Sequence, residues 1–186
     1  MEAVNNYISF LFHRKTSKKI VDGFFITGTD TGIGKTVVTA CLTTLFKSQH
    51  IDVGVMKPIE TGVDPACSSS ANSDAKFLME SSGSTDAEEE VCPYRLKTPA
   101  SPYQAAQIAG VQIQPSTIVE KFKVLRSRHR MMMIEGIGGL LVPITYRYSV
   151  ADLALEIGLP LIIVSRLRIG TLNHTLLTIN AAQQYG

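Results

Sequence analysis

Four short apolar runs constrain this 186-residue chain more than any other feature: GFFIT (23–27), IDVGVM (51–56), MMMI (131–134) and LPLIIV (159–164). Each is near-continuous in apolar character instead of alternating, the pattern of a strand covered on both faces. Between them lie stretches of helical character. Lys35 to about Gln49 places Val38, Leu42, Leu45 and Phe46 on one side, and Pro115 to about His129 is amphipathic. Short apolar strands separated by helices specify βα units around a parallel sheet. The expected fold is α/β, a parallel sheet with helices on both faces.

The punctuation agrees. Asn72 or Ser73 precedes a short helix through Met79, and Ser101 with Pro102 opens another that Gly110 closes. Ser149, with Asp152 three residues on, starts a helix. GTLNHTLLTINAAQQYG (170–186) reads as a final helix, and the three glutamates at 88–90 as a solvated turn. The expected organisation is a basic N-terminal extension, 1–22, and one domain, 23–186. After the last helix the pattern calls for a further strand, so the C-terminal part of the domain is expected to be missing, with a sheet edge exposed.

Composition matters mainly for what it excludes. The net charge of +2 lies entirely in residues 1–22, where Arg14, Lys15, Lys18 and Lys19 outnumber Glu2 and Asp22. The neutral remainder argues against nucleic acid as a ligand. Cys41, Cys67 and Cys92 form no C-x-x-C pair, which favours a reducing, cytoplasmic setting over a disulfide framework or a zinc site. YISFLF (7–12) precedes its basic residues instead of following them, unlike a signal peptide, and no run approaches the roughly 20 apolar residues of a membrane span.

The most specific chemical signal follows the first strand. Gly28 leads through TDTGI to Gly34, Lys35 and Thr36, at the start of a helix. Glycines let backbone N–H groups converge on phosphate oxygens, and the helix start adds partial positive charge. Lys35 is placed for the β- and γ-phosphates, and the Thr36 hydroxyl for Mg²⁺. The strand–loop–helix context makes the expected α/β fold one of the P-loop NTPase type, although the spacer holds five residues where the common phosphate-binding loop has four. Lys57 closes the second strand, either as a second cation at the sheet's carboxyl edge or as a solvated strand-end lysine. Glu135 ends the buried MMMI strand, where a carboxylate needs a partner. With Thr36, Asp74 and Glu135 make a set suited to Mg²⁺ and phosphate, although Asp74 serves equally as a helix-capping residue. The first turn at Gly170, Thr171 and Asn173 suits an anion such as a carboxylate. His174, with no second ligand at i+4, reads as a packing or hydrogen-bonding histidine.

Together TGTDTGIGKT, KPIETG, NSDA, SPYQAA, EGIGGLLVP, ADLA and IGTLNHTLLT resemble, in order, the dethiobiotin synthetase family, from about Gly23 onward. The five-residue spacer is a property of that family. The resemblance implies an ATP-dependent ligase that carboxylates 7,8-diaminononanoate with CO₂. It then closes the ureido ring through a carbamate and a carbamic–phosphoric anhydride. It implies that Lys35 and Lys57 neutralise the carbamate and the phosphoryl group in transit, and that Thr36, Asp74 and Glu135 hold Mg²⁺. Asp30, Gly32, Ile33, Gly34, Lys35, Thr36, Glu135 and Gly138 would contact the nucleotide. Thr31 and Thr61 would line the diamine and carbamate site. Gly170, Thr171, Leu172 and Asn173 would hold the distal carboxylate across a homodimer interface. Two departures stand out: Gly32 occupies a position where many members carry Glu, and the family's adenine-recognising strand has no counterpart before Gly186.

Two rivals share the fold group. A cobyrinate-type synthetase needs an appended glutaminase domain. A ParA-like ATPase switch expects an additional lysine within positions 29–33, and TDTGI contains none. A remnant that binds phosphate without catalysis is a third alternative.

Overall fold

The computed structural model describes residues 21–64 and 73–186. All but the last two positions of the 1–22 extension lie outside those residues, as do Cys67 and Asn72. Among the described residues eight strands run in chain order: β1 (Gly23–Gly28), β2 (Val53–Met56), β3 (Ile59–Thr61), β4 (Tyr94–Leu96), β5 (Met131–Glu135), β6 (Pro143–Thr145), β7 (Tyr148–Ser149) and β8 (Leu161–Val164). The four apolar runs become one parallel sheet in the order β2-β5-β1-β8. Two short pairs stand apart, β3 with β4 in parallel and β6 with β7 antiparallel.

Seven helices accompany the described strands: α1 (Lys35–Ser48), α2 (Asp74–Ser82), α3 (Glu88–Val91), α4 (Pro102–Ala109), α5 (Pro115–Arg128), α6 (Val150–Ile157) and α7 (Thr171–Tyr185). Two adjacent residues of β1 show that helices cover both faces. The Phe24 ring stacks on Phe46 of α1, centroids 6.2 Å apart. The next side chain, Phe25, and Val150 of α6 both lie close against Gly136. Successive strand side chains point to opposite faces, so α1 and α6 lie on opposite sides of the sheet. The core between them includes Phe25, Ile26, Met56, Met133, Ile134 and Leu153, all fully buried.

Starting from β1, the chain crosses to β2, returns to β5, and later places β8 on β1's other side. The order therefore reverses at β1, and ligands of open α/β sheets gather outside the carboxyl ends of the strands at such a point. The glycine turn of residues 28–34 lies there.

The capping signals are largely realised. Ser149 and Asp152 form a reciprocal capping box, and Ser73 accepts the Lys76 N–H. Ser101 stands at the start of α4 as expected, but its hydroxyl donates to Gln104 Oε1 at 3.0 Å instead of capping the backbone. Glu88 to Glu90 are not a plain solvated turn. They form the one-turn helix α3, with Glu88 paired to Arg95 and Glu90 to Arg128. The face of α1 also differs from expectation. Its buried residues are Lys35, Thr39, Ala40 and Thr43; Val38, Leu42 and Phe46 are half-buried and Leu45 is exposed. Small side chains let that helix lie close to the sheet, so the bulkier apolar residues end up at its flanks. At the other side, β8 is an edge strand whose first three residues are partly exposed, and α7 contributes no buried residue.

Candidate active site

Two glycines set the path of the turn, and side chains hold it. Gly32 and Gly34 adopt φ of 64° and 97°, a region that strains residues with a Cβ, and Gly34 is the N-cap of α1. Lys35, 6% exposed, folds back so that Nζ donates to the Asp30 carbonyl at 2.8 Å. The Asp30 carboxylate accepts the Thr31 N–H at 2.7 Å. Ile33 tucks its side chain beneath Gly28, where a Cβ would collide with it. Gly138, at φ 62°, brings the 136–139 loop against the Thr31 hydroxyl.

Lys57 is not a solvated strand-end lysine. It is 3% exposed, its Nζ lies 2.6 Å from Glu135 Oε1 and 3.0 Å from Asp74 Oδ2, and its backbone N–H donates to Val91. The Thr36 hydroxyl donates to the same Glu135 oxygen at 2.9 Å. Thr36, Lys57, Asp74 and Glu135 therefore converge from α1, the end of β2, α2 and β5. The second Glu135 oxygen, Oε2, is buried with no hydrogen-bond partner among the described residues. Asp74 does not cap its own helix. Ser73 does so, and the Asp74 carboxylate turns to Lys57.

The electrostatics follow from this packing. Burial opposes charge on Lys57, but Glu135 and Asp74 outweigh it and raise its pKa, so the ammonium persists. Lys35 is lowered, first by burial and then by the nearby Lys57 ammonium. Burial pushes the Glu135 carboxyl up, against the opposing pull of Lys57.

Substrate-side candidates are more dispersed. Thr61 ends β3, four residues after Lys57, and is half-buried. Gly170 is the left-handed N-cap of α7 at φ 94°. Thr171 and the exposed His174 line a narrow crevice with Thr29, Asp30, Ile33 and Arg166, so the start of α7 abuts the glycine turn. His174 is thus not a packed histidine. Leu172 and Asn173, between Thr171 and His174, are exposed and are not among the residues that line the crevice.

Two residues escaped the sequence reading. Arg166 donates to the Gly32 carbonyl at 2.7 Å, tying the β8 end to the turn. Glu60 is a buried carboxylate behind Asp74. A signal existed for Arg166, a basic residue two positions past a strand's carboxyl end. For Glu60 it was weaker, a lone acid in a three-residue strand.

Comparison with known proteins identifies the family. A family model described as "AAA domain" matches residues 22–186. The ATP-dependent dethiobiotin synthetase BioD of Bacillus licheniformis is 42% identical over 164 residues, covering 88% of this chain and 68% of that protein. Its counterpart in Anaeromyxobacter sp. (strain K) is 41% identical, covering 88% and 72%. That of Bacillus subtilis subsp. natto is 36% identical, covering 88% and 70%. With its glycine turn, two buried lysines and paired carboxylates set on a parallel sheet, the chain belongs to the ATP-dependent dethiobiotin synthetase family.

Proposed function

We propose that this chain closes the ureido ring of dethiobiotin from 7,8-diaminononanoate, CO₂ and ATP, with Mg²⁺, using the residues that converge on Lys57. The observation that carries the reading is the Lys57 ammonium, buried between Asp74 and Glu135 with Thr36 on the same Glu135 oxygen.

In this reading the first amine adds to CO₂ and loses a proton, leaving a carbamate. A carbamate oxygen attacks the γ-phosphorus of ATP, ADP departs, and a carbamic–phosphoric anhydride forms. The second amine then attacks the carbonyl carbon, expels phosphate and loses its proton as the ring closes. No protein nucleophile is required. The protein contributes position and charge, which dominate catalysis of phosphoryl transfer. The N–H groups of Gly32, Ile33, Gly34, Lys35 and Thr36 cradle phosphates, with Asp30, Glu135 and Gly138 completing the nucleotide's surroundings. Lys35 leaves the Asp30 carbonyl for a phosphate oxygen. Lys57, already stripped of water, meets the carbamate and the phosphoryl group. Thr31 and Thr61 line the diamine side.

The donor set fits Mg²⁺. Two carboxylates and a hydroxyl are hard oxygen ligands, and the unpartnered buried Glu135 Oε2 is an orphaned acceptor suited to a cation or its water. Thr36, Asp74 and Glu135 would hold the ion, which when bound offsets charge on the β- and γ-phosphates.

A homodimer belongs to the same reading. Leu172, Leu176 and Leu177 of α7 are exposed apolar side chains, beside the helix start, Gly170 to Asn173, that would take the distal carboxylate. We assign the catalytic unit to residues 23–186, residues 1–22 to a basic extension, and the setting to the cytoplasm. No described helix is long and apolar enough to cross a membrane.

The test is mass-spectrometric detection of dethiobiotin formed from diamine, bicarbonate and ATP. ATP turnover should depend on the diamine, and brisk hydrolysis without it would favour an ATPase switch instead.

A further inference from the structure

We propose that Glu60 is the positioning residue for Asp74, fixing the first turn of α2 so that the Asp74 carboxylate stays free to face Lys57. The inference rests on the metal and lysine roles given above and adds a residue to them.

Glu60 is 3% exposed, on β3, three residues beyond Lys57. A buried carboxylate needs compensation, and its two oxygens are used separately. Oε2 accepts the Ser73 hydroxyl at 2.8 Å, and Oε1 accepts the backbone N–H of Asp74. Both partners lie at the N-terminus of α2, where free N–H groups and partial positive charge favour an anion. A negative charge from another element thus stabilises this helix end.

The consequence concerns Asp74. An acid at the first position of a helix is commonly engaged by the unpaired N–H groups around it. Here that work is divided among other groups. Glu60 takes the Asp74 N–H and Ser73 takes the Lys76 N–H. The Asp74 side chain is left to lie 3.0 Å from Lys57 Nζ. Lys57 and Glu60 belong to one short segment, Lys57-Pro58-Ile59-Glu60, so a single stretch of backbone fixes both the group that Asp74 faces and the group that orients it. Glu60 touches no reacting atom. It acts through Asp74.

The experiment measures affinity for a non-hydrolysable ATP analogue with and without Mg²⁺, alongside amide exchange at residues 74–76. Glu60→Ala should reduce the Mg²⁺-dependent gain in affinity about tenfold, the usual scale for losing a group that orients a metal ligand. Affinity without Mg²⁺ should be unchanged, and exchange at Asp74 should accelerate. Glu60→Gln keeps an oxygen for the Asp74 N–H and should restore most of the gain. In an Asp74→Asn background, Glu60→Ala should add nothing further.

Additive effects of the two substitutions, or equal losses with and without Mg²⁺, overturn the inference. If Glu60→Ala does not fold, Ser73→Ala must weaken the Mg²⁺-dependent gain in the same direction, and an unchanged value overturns it. If Asp74→Asn alone leaves the Mg²⁺ dependence at its wild-type value, the metal role of Asp74 fails. Glu60 is then judged on exchange at Asp74, where wild-type rates in Glu60→Ala count against it.

Discussion

Lys57 Nζ and Glu135 Oε1 stand 2.6 Å apart, drawn together from positions 78 residues apart in the chain. Two neighbouring parallel strands, β2 and β5, bring them there, since Met56 pairs with Ile134 and each charged residue is the next one along. Strand register alone sets the two groups side by side.

Lys57→Ala therefore removes two things at once. Ring closure should fall by about a hundredfold or more, as expected when a charge aimed at the transition state is lost. Affinity for an ATP analogue, held mainly by the glycine turn, should change little, and an equal loss of both would contradict the assignment. The variant also leaves Glu135, 1% exposed, without its cation. Its unfolding free energy should drop by about 3 kcal/mol, measurable by urea titration.

A second prediction concerns pH. His129 stands between Asp52, at 3.1 Å from Nδ1, and Asp86, at 2.9 Å from Nε2, with Arg128 also bound to Asp86. Burial lowers its pKa, but Asp52 and Asp86 outweigh burial, and the net shift is upward. A group whose folded pKa is raised stabilises fully below its unfolded value, about 6.5, and loses that contribution as pH climbs through the folded value. Thermal scans should show a midpoint about 2 °C higher at pH 6 than at pH 9, attributable to this cluster. His129→Asn should abolish that difference.

Thiol chemistry supplies a third. Burial, reinforced by the negative charge of Glu60, pushes the Cys92 thiol up to about 12, whereas Cys41 is exposed. At pH 8 the Cys92 thiolate is scarce, so iodoacetamide should label it on the order of a thousandfold more slowly than Cys41. Peptide mass mapping reads this directly. Rapid labelling of Cys92 in folded protein would contradict the packing around β3 and β4.

Gly23 offers a stability test at the start of β1. Its φ is 147°, and a Cβ there would collide with the carbonyl oxygen of Met132 on β5. Gly23→Ala should cost roughly 3 kcal/mol, since a backbone atom cannot yield as a flexible side chain does. A midpoint within 1 °C of wild type, on a scale of about 2–4 °C per kcal/mol for a domain this size, would refute it.

The sheet was legible because its signal is local: each buried strand is a continuous apolar run, and each turn carries its own glycines. The glycine turn with Thr36 at its helix start, and Glu135 at the end of a buried strand, were legible for the same reason, whereas the local reading of Lys57 left a solvated lysine open. Other features depended on tertiary distance. That Val38 and Leu42 flank the sheet while Thr39 and Thr43 face it depends on how closely α1 approaches, which the spacing of apolar residues does not encode. The two readings of Asp74 separate only in three dimensions, where Ser73 caps the helix and the Asp74 carboxylate lies 3.0 Å from Lys57, seventeen positions earlier. The pairing of Arg166 with Gly32 spans 134 positions and has no local trace.

Lys35 spends its proton on a carbonyl of its own loop, and Lys57 spends its charge on Asp74 and Glu135. Two cations and two anions thus cancel one another in the free protein, leaving little net attraction for stray chloride, sulfate or inorganic phosphate. Only a ligand that engages several loop amides at once and draws Lys35 off the Asp30 carbonyl can repay that exchange of partners. Simple salts should consequently be poor competitors for this pocket, and a polyphosphate a good one.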